Sequence, residues 1–360
     1  MPVDIMANAS SHVFHNQTLA EAGLQYAGYQ KIDATAILRN TLAKFLGTDA
    51  DTLVVTDNVE STLNTICQKF VPADGGVILM EEATWTGAFN NCLVNVTKEG
   101  VRMTSGGYLD VDALNSTLRR LPWKSVKLLY IQPAFQNPLG GTLPTDDQQV
   151  VIQLAQEFGF MIIADEANRL MGFDGAPPSI FDLDDPSDPR VITTTTFAKC
   201  LSAPGLSLGW VQAHSSVLDA SFSSSIASND WVIQAIVAWV VENGHLKTHL
   251  EQALKRYSHG ANVLLSELSN AGFKVVVPEP IGSFFYFLCT DYEASELLEA
   301  AKKFGVTFDI GSQFTQTGDT TYNHCIRLCW GYQEPELLRE GVQRLANAVA
   351  ALAADQEAAF

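Results

Sequence analysis

Short apolar segments alternate with amphipathic ones between residues 50 and 212, and this alternation restricts the possible folds more than any other feature. The apolar segments are TLVVT, GVILM, KLLYIQ, FMIIAD, VITTTT and LGWVQA. Between them lie segments with apolar residues at helical spacing, such as STLNTICQKFV and DDQQVVIQLAQEFG. Strands that are apolar throughout and separated by helices are typical of a parallel sheet covered on both faces. We therefore predict an α/β domain with ligands bound at the carboxyl ends of its strands.

The remainder of the chain mixes helices and strands without strict alternation. Residues 215–270 are predicted to be largely helical, and KVVVP, SFFYFL and CIRLCW are predicted to be strands. This mixture fits a smaller α+β domain. We predict a large domain over residues 41–245, a small domain over residues 246–360, and an N-terminal segment, residues 1–40, that packs with the small domain.

Composition and charge exclude several classes of protein. The 360 residues are 47% hydrophobic and 17% charged, which is typical of a soluble globular protein with a sizeable core. The net charge of −18, without a basic stripe, argues against a nucleic-acid partner. The N-terminus lacks the pattern of a secretory signal, and the apolar residues 231–241 are too few to span a bilayer. We expect a cytoplasmic protein without a membrane partner.

Cysteine and histidine spacing predicts neither a disulfide framework nor a metal site. The six cysteines are scattered and form no CxxC pair, which favours buried free thiols in a reducing compartment. His245 and His249 are four residues apart on a predicted helix, but no glutamate of a metallohydrolase motif lies between them. We interpret these two histidines as part of a solvated helix face and expect no metal.

Polar and aromatic residues follow the ends of the predicted strands. The residues concerned are Asn58, Trp85, Asn137, Asp165 and Lys199. The carboxyl ends of parallel strands lie at the same edge of a sheet, so these side chains are expected to converge. A lysine, an acid, an amide and a large aromatic residue at one edge form a more specific pattern than any one of them alone.

The order and spacing of these residues resemble the class I/II aminotransferases of the aspartate aminotransferase superfamily, which are fold type I pyridoxal-phosphate-dependent enzymes. The resemblance covers nearly the whole chain and is carried by FQNPLGGTLP, ADEA, FAKCLSAPGLSLGW, GSFFYFL, FGVTFDIGSQF and CIRLCW. It implies pyridoxal 5'-phosphate as the cofactor and a small α-amino acid as the substrate. It also implies a homodimer with shared active sites.

The resemblance implies a role for each matching residue. Lys199 is expected to form a Schiff base with the cofactor and, when released, to act as the base for the substrate α-proton. Asp165 is expected to keep the pyridine nitrogen protonated, and Trp85 to stack on the ring as a further catalytic residue. Asn137 is expected to donate to the phenolic oxygen and to contact the substrate. Arg327, within CIRLCW, is expected to bind the substrate α-carboxylate.

A phosphate site is also implied by the resemblance. The residues concerned are Tyr29, Asn58, Val59, Glu60, Ser61, Thr62, Thr196 and Ser207, with Tyr29 contributed by the neighbouring subunit. The helix that begins after Asn58 offers its N-terminus to the anion. Asn58 replaces the usual glycine and is expected to tolerate a left-handed conformation there. The side chain of Glu60 is expected to point away from the phosphate.

Two further departures from the family pattern leave the reaction open. Asn168 stands where the family has a tyrosine bonded to the phenolic oxygen, and Ser207 stands where it has an arginine on the phosphate. Both changes are expected to alter cofactor binding. Aminotransfer through an external aldimine and a quinonoid is our first prediction. The alternative is a lyase or cyclase of specialised metabolism, acting by elimination, replacement or cyclisation, and a non-catalytic binding module is a more distant one.

Overall fold

The computed structural model describes residues 3–15, 34–85, 87, 96–228, 230–274, 280–315 and 319–358. The helices are α1 (Val3–His15), α2 (Ala34–Leu46), α3 (Val59–Phe70), α4 (Val111–Arg120), α5 (Thr145–Phe158), α6 (Phe197–Cys200), α7 (Ala220–Ile226), α8 (Trp231–Glu242), α9 (His245–Asn270), α10 (Ala294–Lys303) and α11 (Pro335–Ala358). The strands are β1 (Leu53–Thr56), β2 (Val77–Glu81), β3 (Thr97–Val101), β4 (Val126–Ile131), β5 (Met161–Asp165), β6 (Val191–Thr196), β7 (Gly209–Gln212), β8 (Phe285–Cys289), β9 (Asp309–Ile310) and β10 (Cys325–Cys329).

The large sheet confirms the predicted α/β class. Among the described residues it has seven strands in the order β1-β7-β6-β5-β4-β2-β3. Strands β2 to β6 pair in parallel, and β7 is antiparallel to both of its neighbours. The connection from β6 to β7, residues 197–208, contains only the four-residue helix α6 and no helix that crosses the sheet, and β7 runs back beside β6. The sequence does not predict β3, because TKEGV is a largely polar edge strand.

Helices cover both faces of this sheet, as the uninterrupted apolar strands predict. Leu63 and Ile66 of α3 pack on one face, in a cluster that contains Tyr130 of β4. Leu114 of α4 and Val151 of α5 pack on the other face. The central strands of the sheet are therefore buried on both sides.

The second sheet is small and antiparallel, in the order β8-β10-β9. It packs with α9, α10 and α11 around a core that includes Leu264, Leu297 and Leu345. The predicted strands SFFYFL and CIRLCW correspond to β8 and β10, whereas KVVVP lies almost entirely outside the described residues. These elements fit the predicted smaller α+β domain, and the division of the chain at residues 245 and 246 stays a proposal.

The N-terminal helix contacts the large domain. Ala9 and Val13 of α1 are buried in one cluster with Leu38 and Leu42 of α2 and with Val237 of α8. The same cluster includes residues of α9 beyond position 245, so the predicted packing of residues 1–40 with the small domain stays a prediction. Helix α8 is apolar around its circumference, so it can bury the apolar face of α1 as well as that of α2. Among the described residues, no helix is long and apolar enough to cross a membrane.

The cysteines differ from the expectation of free thiols throughout. Cys289 on β8 lies opposite Cys325 on β10, and the two are joined by a disulfide. Direct opposition on neighbouring antiparallel strands brings their side chains together, which scattered spacing in the sequence does not reveal. Cys67 and Cys200 are buried thiols outside this disulfide, as predicted, and Cys329 is an exposed thiol.

Candidate active site

Four residues predicted from strand ends lie at one edge of the large sheet. Asp165 is the last residue of β5, and Lys199 lies on α6, which begins directly after β6. Asn137 lies in the loop after β4, and Trp85 follows the end of β2. Strands β2, β4, β5 and β6 are consecutive parallel neighbours, so their carboxyl ends meet at this edge.

Asp165 is a buried carboxylate at this edge of the sheet. Its Oδ2 accepts a hydrogen bond from the hydroxyl of Tyr130 at 2.8 Å, and its Oδ1 accepts one from the backbone N–H of Ala167 at 3.0 Å. Burial raises the pKa of the Asp165 carboxyl, while the two hydrogen bonds and the charge of Lys199 act in the opposite direction. A buried carboxylate is stabilised by a cation placed against it, so Asp165 is suited to bind a protonated ring nitrogen.

Lys199 carries an amine of reduced basicity. Burial lowers the pKa of Lys199, and the positive charge of Arg327 lowers it further, whereas the negative charge of Asp165 raises it. Its Nζ lies 5.4 Å from the ring centroid of Phe284. Thr196 begins the short helix that presents Lys199, and its hydroxyl accepts a hydrogen bond from the backbone N–H of Ala198. A larger fraction of the amine is neutral near neutral pH than for an exposed lysine, as a nucleophile or base requires.

Arg327 reaches this edge from β10 of the small sheet. Its Nη1 donates to Oδ1 of Asn137 at 2.5 Å, and its Nη2 donates to Oδ2 of Asp309 at 2.5 Å. The guanidinium also lies over the rings of Phe314 and Phe285, at 4.8 and 5.4 Å from their centroids. Arg327 and Asn137 therefore form one donor–acceptor unit built from both sheets, although 190 positions separate them in the sequence.

Glu81, which the sequence analysis does not single out, organises the loop that carries Asn137. Its carboxylate accepts hydrogen bonds from the backbone N–H of Gln132 at 3.1 Å, from Nε2 of Gln136 at 2.9 Å and from the hydroxyl of Thr84 at 3.2 Å. These contacts tie the end of β2 to the loop after β4. The available sequence signal is an acidic residue that ends the apolar segment GVILM, because such a position is buried.

Burial also raises the pKa of Glu81, from an ordinary value of 4.5 to about 8. The folded protein therefore binds more protons than the unfolded chain, and the free energy of unfolding falls as the pH rises from about 4.5 to about 8. We predict that Glu81→Gln removes this fall, which amounts to at most about 5 kcal/mol. Urea denaturation at pH 5.5 and pH 8.5 measures most of it.

The exposed Glu296→Gln serves as the matched control for this measurement, because its carboxylate is in water in both states. Between the two pH values, wild type and Glu296→Gln are expected to lose the same stability, and Glu81→Gln is expected to lose less. An equal loss in all three proteins would contradict the assignment of the pH dependence to Glu81.

The side-chain amide of Asn168 is hydrogen-bonded to the loop after β4. Its Nδ2 donates to the backbone carbonyl of Phe135 at 3.2 Å, and the side chain is buried. Phe135 has a φ of 50°, in the left-handed region that a bulky side chain rarely adopts. Asn168 therefore stabilises an unfavourable backbone conformation two residues before Asn137.

The turn before α3 has a different conformation from the expected one. Asn58 has a φ of −153° and is extended, so the prediction of a left-handed residue is wrong. Its side chain instead caps the helix by accepting a hydrogen bond from the backbone N–H of Ser61 at 2.8 Å, the usual geometry of an asparagine N-cap. Val59 and Glu60 form the first turn, and the side chain of Glu60 is exposed.

The hydroxyls predicted to hold a phosphate lie close to this turn and contact the backbone. Ser207 donates to the carbonyl of Asp57 at 3.3 Å, which brings the segment before β7 against the start of α3. Thr196 donates to the carbonyl of Leu208 at 3.3 Å. The hydroxyl of Thr62 is committed as well, to the carbonyl of Asn58 at 2.7 Å.

Three remaining expectations have different outcomes. Tyr29 lies outside the described residues. His249 is buried and within hydrogen-bonding distance of Ser202, and His245 stacks on Trp239, so the interpretation of a solvated histidine face is wrong. The described part of the chain contains no group of three or more potential metal ligands.

Comparison with known proteins gives consistent matches over nearly the whole chain. The family model described as aminotransferase class I and II matches residues 5–345. The 2-aminoadipate transaminase of Thermus thermophilus is 26% identical over 361 residues, covering 98% of this chain and 88% of that protein. Aromatic-amino-acid aminotransferase 1 of Thermococcus litoralis is 27% identical over 367 residues, covering 97% of this chain and 84% of that protein.

A solved structure matches to the same extent. It is LysN, the alpha-aminoadipate aminotransferase of Thermus thermophilus, complexed with N-(5'-phosphopyridoxyl)-L-leucine. The TM-score is 0.85 at 26% sequence identity, with 98% of this chain and 90% of that chain covered. The resemblance noted in the sequence and the fold type I architecture are both confirmed.

Proposed function

The chain belongs to the aminotransferase class I and II family and is a pyridoxal-phosphate-dependent enzyme, and we propose that it transfers the amino group of a small α-amino acid to a keto acid. The observation that carries this function is the meeting of Lys199, Asp165 and the Arg327–Asn137 pair at the edge of the large sheet. Together these groups can hold the cofactor, move a proton and bind a carboxylate.

The residues at this edge fit pyridoxal 5'-phosphate. When bound, the cofactor supplies an electron sink for the substrate α-carbon. Asp165 is proposed to bind the ring nitrogen, because a cation there offsets the burial that raises the pKa of this carboxyl. Trp85, packed beside the cluster that contains Tyr130, is proposed to contact the ring face, and Asn137 to donate to the phenolic oxygen.

Proton transfer and substrate binding are proposed for two cationic side chains. Lys199 would hold the cofactor through its amine in the resting enzyme, and once a substrate amine has taken its place the freed amine of Lys199 would accept the substrate α-proton. The pKa of Lys199 is lowered by burial, so the amine can act as a base near neutral pH. Arg327, aligned by Asn137, binds the α-carboxylate through its charged N–H groups.

The cofactor phosphate is proposed to lie between the first turn of α3 and the segment before β7. Backbone N–H groups of Val59 and Glu60 and the hydroxyls of Thr196 and Ser207 are the donors at this position. Both hydroxyls are within reach of backbone carbonyls as well, so binding the phosphate requires them to rotate. Retention of the cofactor is therefore expected to depend on the N-terminus of α3 more than on a positively charged side chain.

The lyase or cyclase alternative has weaker support than aminotransfer. It rests on Asn168 and Ser207, and each of these side chains bonds a backbone carbonyl that shapes the site, to Phe135 and Asp57 respectively. The departures therefore have a structural explanation that does not require a different reaction. The relatives named above are transaminases, and their names suggest aminoadipate and aromatic amino acids as first substrates to test.

We predict that the purified holoenzyme forms a new amino acid only when a keto acid is supplied. The test incubates L-2-aminoadipate, L-leucine or L-tyrosine with 2-oxoglutarate and measures L-glutamate by chromatography. Omitting 2-oxoglutarate is expected to limit the reaction to about one turnover per site, because the amino group then remains on the enzyme. Ammonia, an alkene or a cyclic product released over many turnovers without a keto acid would establish the lyase or cyclase instead.

A homodimer in the cytoplasm, without a nucleic-acid or membrane partner, is also part of this proposal. It derives from the sequence, since Tyr29, the residue predicted to reach the neighbouring subunit's phosphate, lies outside the described residues. Sedimentation of the active holoenzyme as a monomer would contradict it.

A further inference from the structure

Arg327, which is proposed to bind the substrate carboxylate, already donates a hydrogen bond to a carboxylate of the protein itself. Asp309 on β9 lies directly opposite Arg327 on β10, and its Oδ2 accepts a hydrogen bond from Nη2 at 2.5 Å. Nη1 is bound to Asn137, and Nε is buried without a hydrogen-bond partner. Each terminal nitrogen carries two hydrogens, so each retains one N–H for a ligand.

The geometry allows a substrate carboxylate to bind without complete displacement of Asp309, but only beside it. Two oxygens that accept from the same nitrogen lie about 5 Å apart. The side chain of Asp309 is 47% exposed and that of Arg327 is 22% exposed, so the pair lies at the rim of the site and solvent screens it partly. A carboxylate arriving at Arg327 therefore meets a partly neutralised cation and a negative charge next to it.

We propose that Asp309 competes with the substrate α-carboxylate for Arg327 and thereby determines how strongly the enzyme discriminates amino acids from amines that lack a carboxylate. This inference rests on the proposed role of Arg327. Asp309 weakens the binding of every carboxylate and leaves the binding of an uncharged group at the same position unaffected. A neutral residue at position 309 gives tighter carboxylate binding and stronger discrimination.

The opposite role for Asp309 is to hold Arg327 in position for the substrate. Three contacts besides Asp309 already fix the guanidinium, namely the hydrogen bond to Asn137 and the rings of Phe314 and Phe285. A guanidinium confined between two rings and one amide retains its orientation when a half-exposed partner loses its charge. The competing role therefore agrees better with the surroundings of Arg327 than the positioning role.

The experiment uses Asp309→Asn, because asparagine retains an oxygen that accepts from Nη2 while the negative charge is removed. Isothermal titration of the holoenzyme measures the binding of 4-methylpentanoate, which presents the carboxylate without an amine. It also measures 3-methylbutylamine, the decarboxylated counterpart of L-leucine. Asp309→Asn is expected to tighten the binding of 4-methylpentanoate by about fourfold or more, the effect of removing one like charge about 5 Å away when water screens the pair fully. It is not expected to tighten the binding of 3-methylbutylamine, which lacks the carboxylate and is itself a cation.

Asp309→Ser is a second neutral variant, and the exposed Asp291→Asn, on the same small domain, is the matched control that changes the net charge equally. The Km for L-leucine is expected to fall in both variants at position 309 and to stay the same in the control. Unchanged or weaker binding of 4-methylpentanoate in both variants at position 309 would overturn the proposal, and weaker binding would assign Asp309 the positioning role.

Arg327→Gln separates this inference from the role on which it depends. The variant is expected to weaken the binding of 4-methylpentanoate at least tenfold and to have little effect on the binding of 3-methylbutylamine. If Arg327→Gln binds the carboxylate as tightly as wild type, the proposed role of Arg327 and the competition by Asp309 both fail. If it binds weakly while the variants at position 309 resemble wild type, only the inference about Asp309 fails.

Discussion

Lys199→Ala is expected to abolish covalent attachment of the cofactor and to reduce the rate of proton transfer by a factor of about 10²–10⁴, the usual contribution of a positioned acid–base group. The amine is the only group of this side chain that can bond to the cofactor aldehyde, and alanine removes it entirely. Burial lowers the pKa of Lys199, so the wild-type rate is expected to rise with pH as the amine loses its proton. Stopped-flow absorbance with L-leucine measures the rate.

Two observations accompany this prediction. Borohydride treatment followed by mass spectrometry is expected to show the cofactor mass on wild-type protein and not on Lys199→Ala. Lys303→Ala removes an exposed lysine of α10 and is expected to behave as wild type in both measurements. If Lys199→Ala were to retain the covalent cofactor or the wild-type rate, the assignment of the whole site would be wrong.

Asp165→Asn is expected to lower kcat/Km by about 10²–10³-fold, the usual cost of removing one preorganised electrostatic group from an active site. Asparagine retains one acceptor oxygen, for the N–H of Ala167, and its amide nitrogen can donate to the hydroxyl of Tyr130, but the charge that favours a protonated ring nitrogen is lost. Cofactor affinity is expected to fall as well. Equilibrium dialysis of the cofactor and steady-state kinetics are the measurements.

Stability is expected to change in the opposite direction. Burial raises the pKa of Asp165, so the ionised carboxylate destabilises the cofactor-free protein. The Tm of cofactor-free Asp165→Asn is therefore expected to equal or exceed that of wild type at pH 8. Tyr130→Phe removes one hydrogen bond to Asp165 and keeps its charge, so a smaller loss of kcat/Km is expected. An Asp165→Asn enzyme with wild-type kinetics and cofactor affinity would rule out the role of Asp165.

The fold class and the positions of the main site residues could be predicted because both depend on local patterns. Strands buried on both faces must be apolar throughout, and the residue after the last apolar position must then lie at an edge of the sheet. Asp165 and Lys199 follow neighbouring strands in this way. The pattern fails for β3, which lies at the edge of the sheet and has little need of apolar residues.

Details of local conformation were less predictable. Asn58 is compatible both with a left-handed turn and with an extended N-cap, and the hydrogen bond to Ser61 stabilises the N-cap. Helix α1 has an apolar face that could pack on either domain, and the apolar surface of α8 determines its position. In both cases the residue type allows two structures, and a neighbouring group selects one.

The sequence alone determined the order of the elements, the type of sheet and the residues that end its strands, because periodicity and residue type act over a few neighbouring positions. Only the tertiary structure decided which partner each side chain has. Glu81 meets Gln136 across 55 positions, and Arg327 meets Asn137 across 190. Such contacts arise from the packing of elements far apart in the chain, and the same packing raises the pKa of Glu81 and places Asp309 beside Arg327.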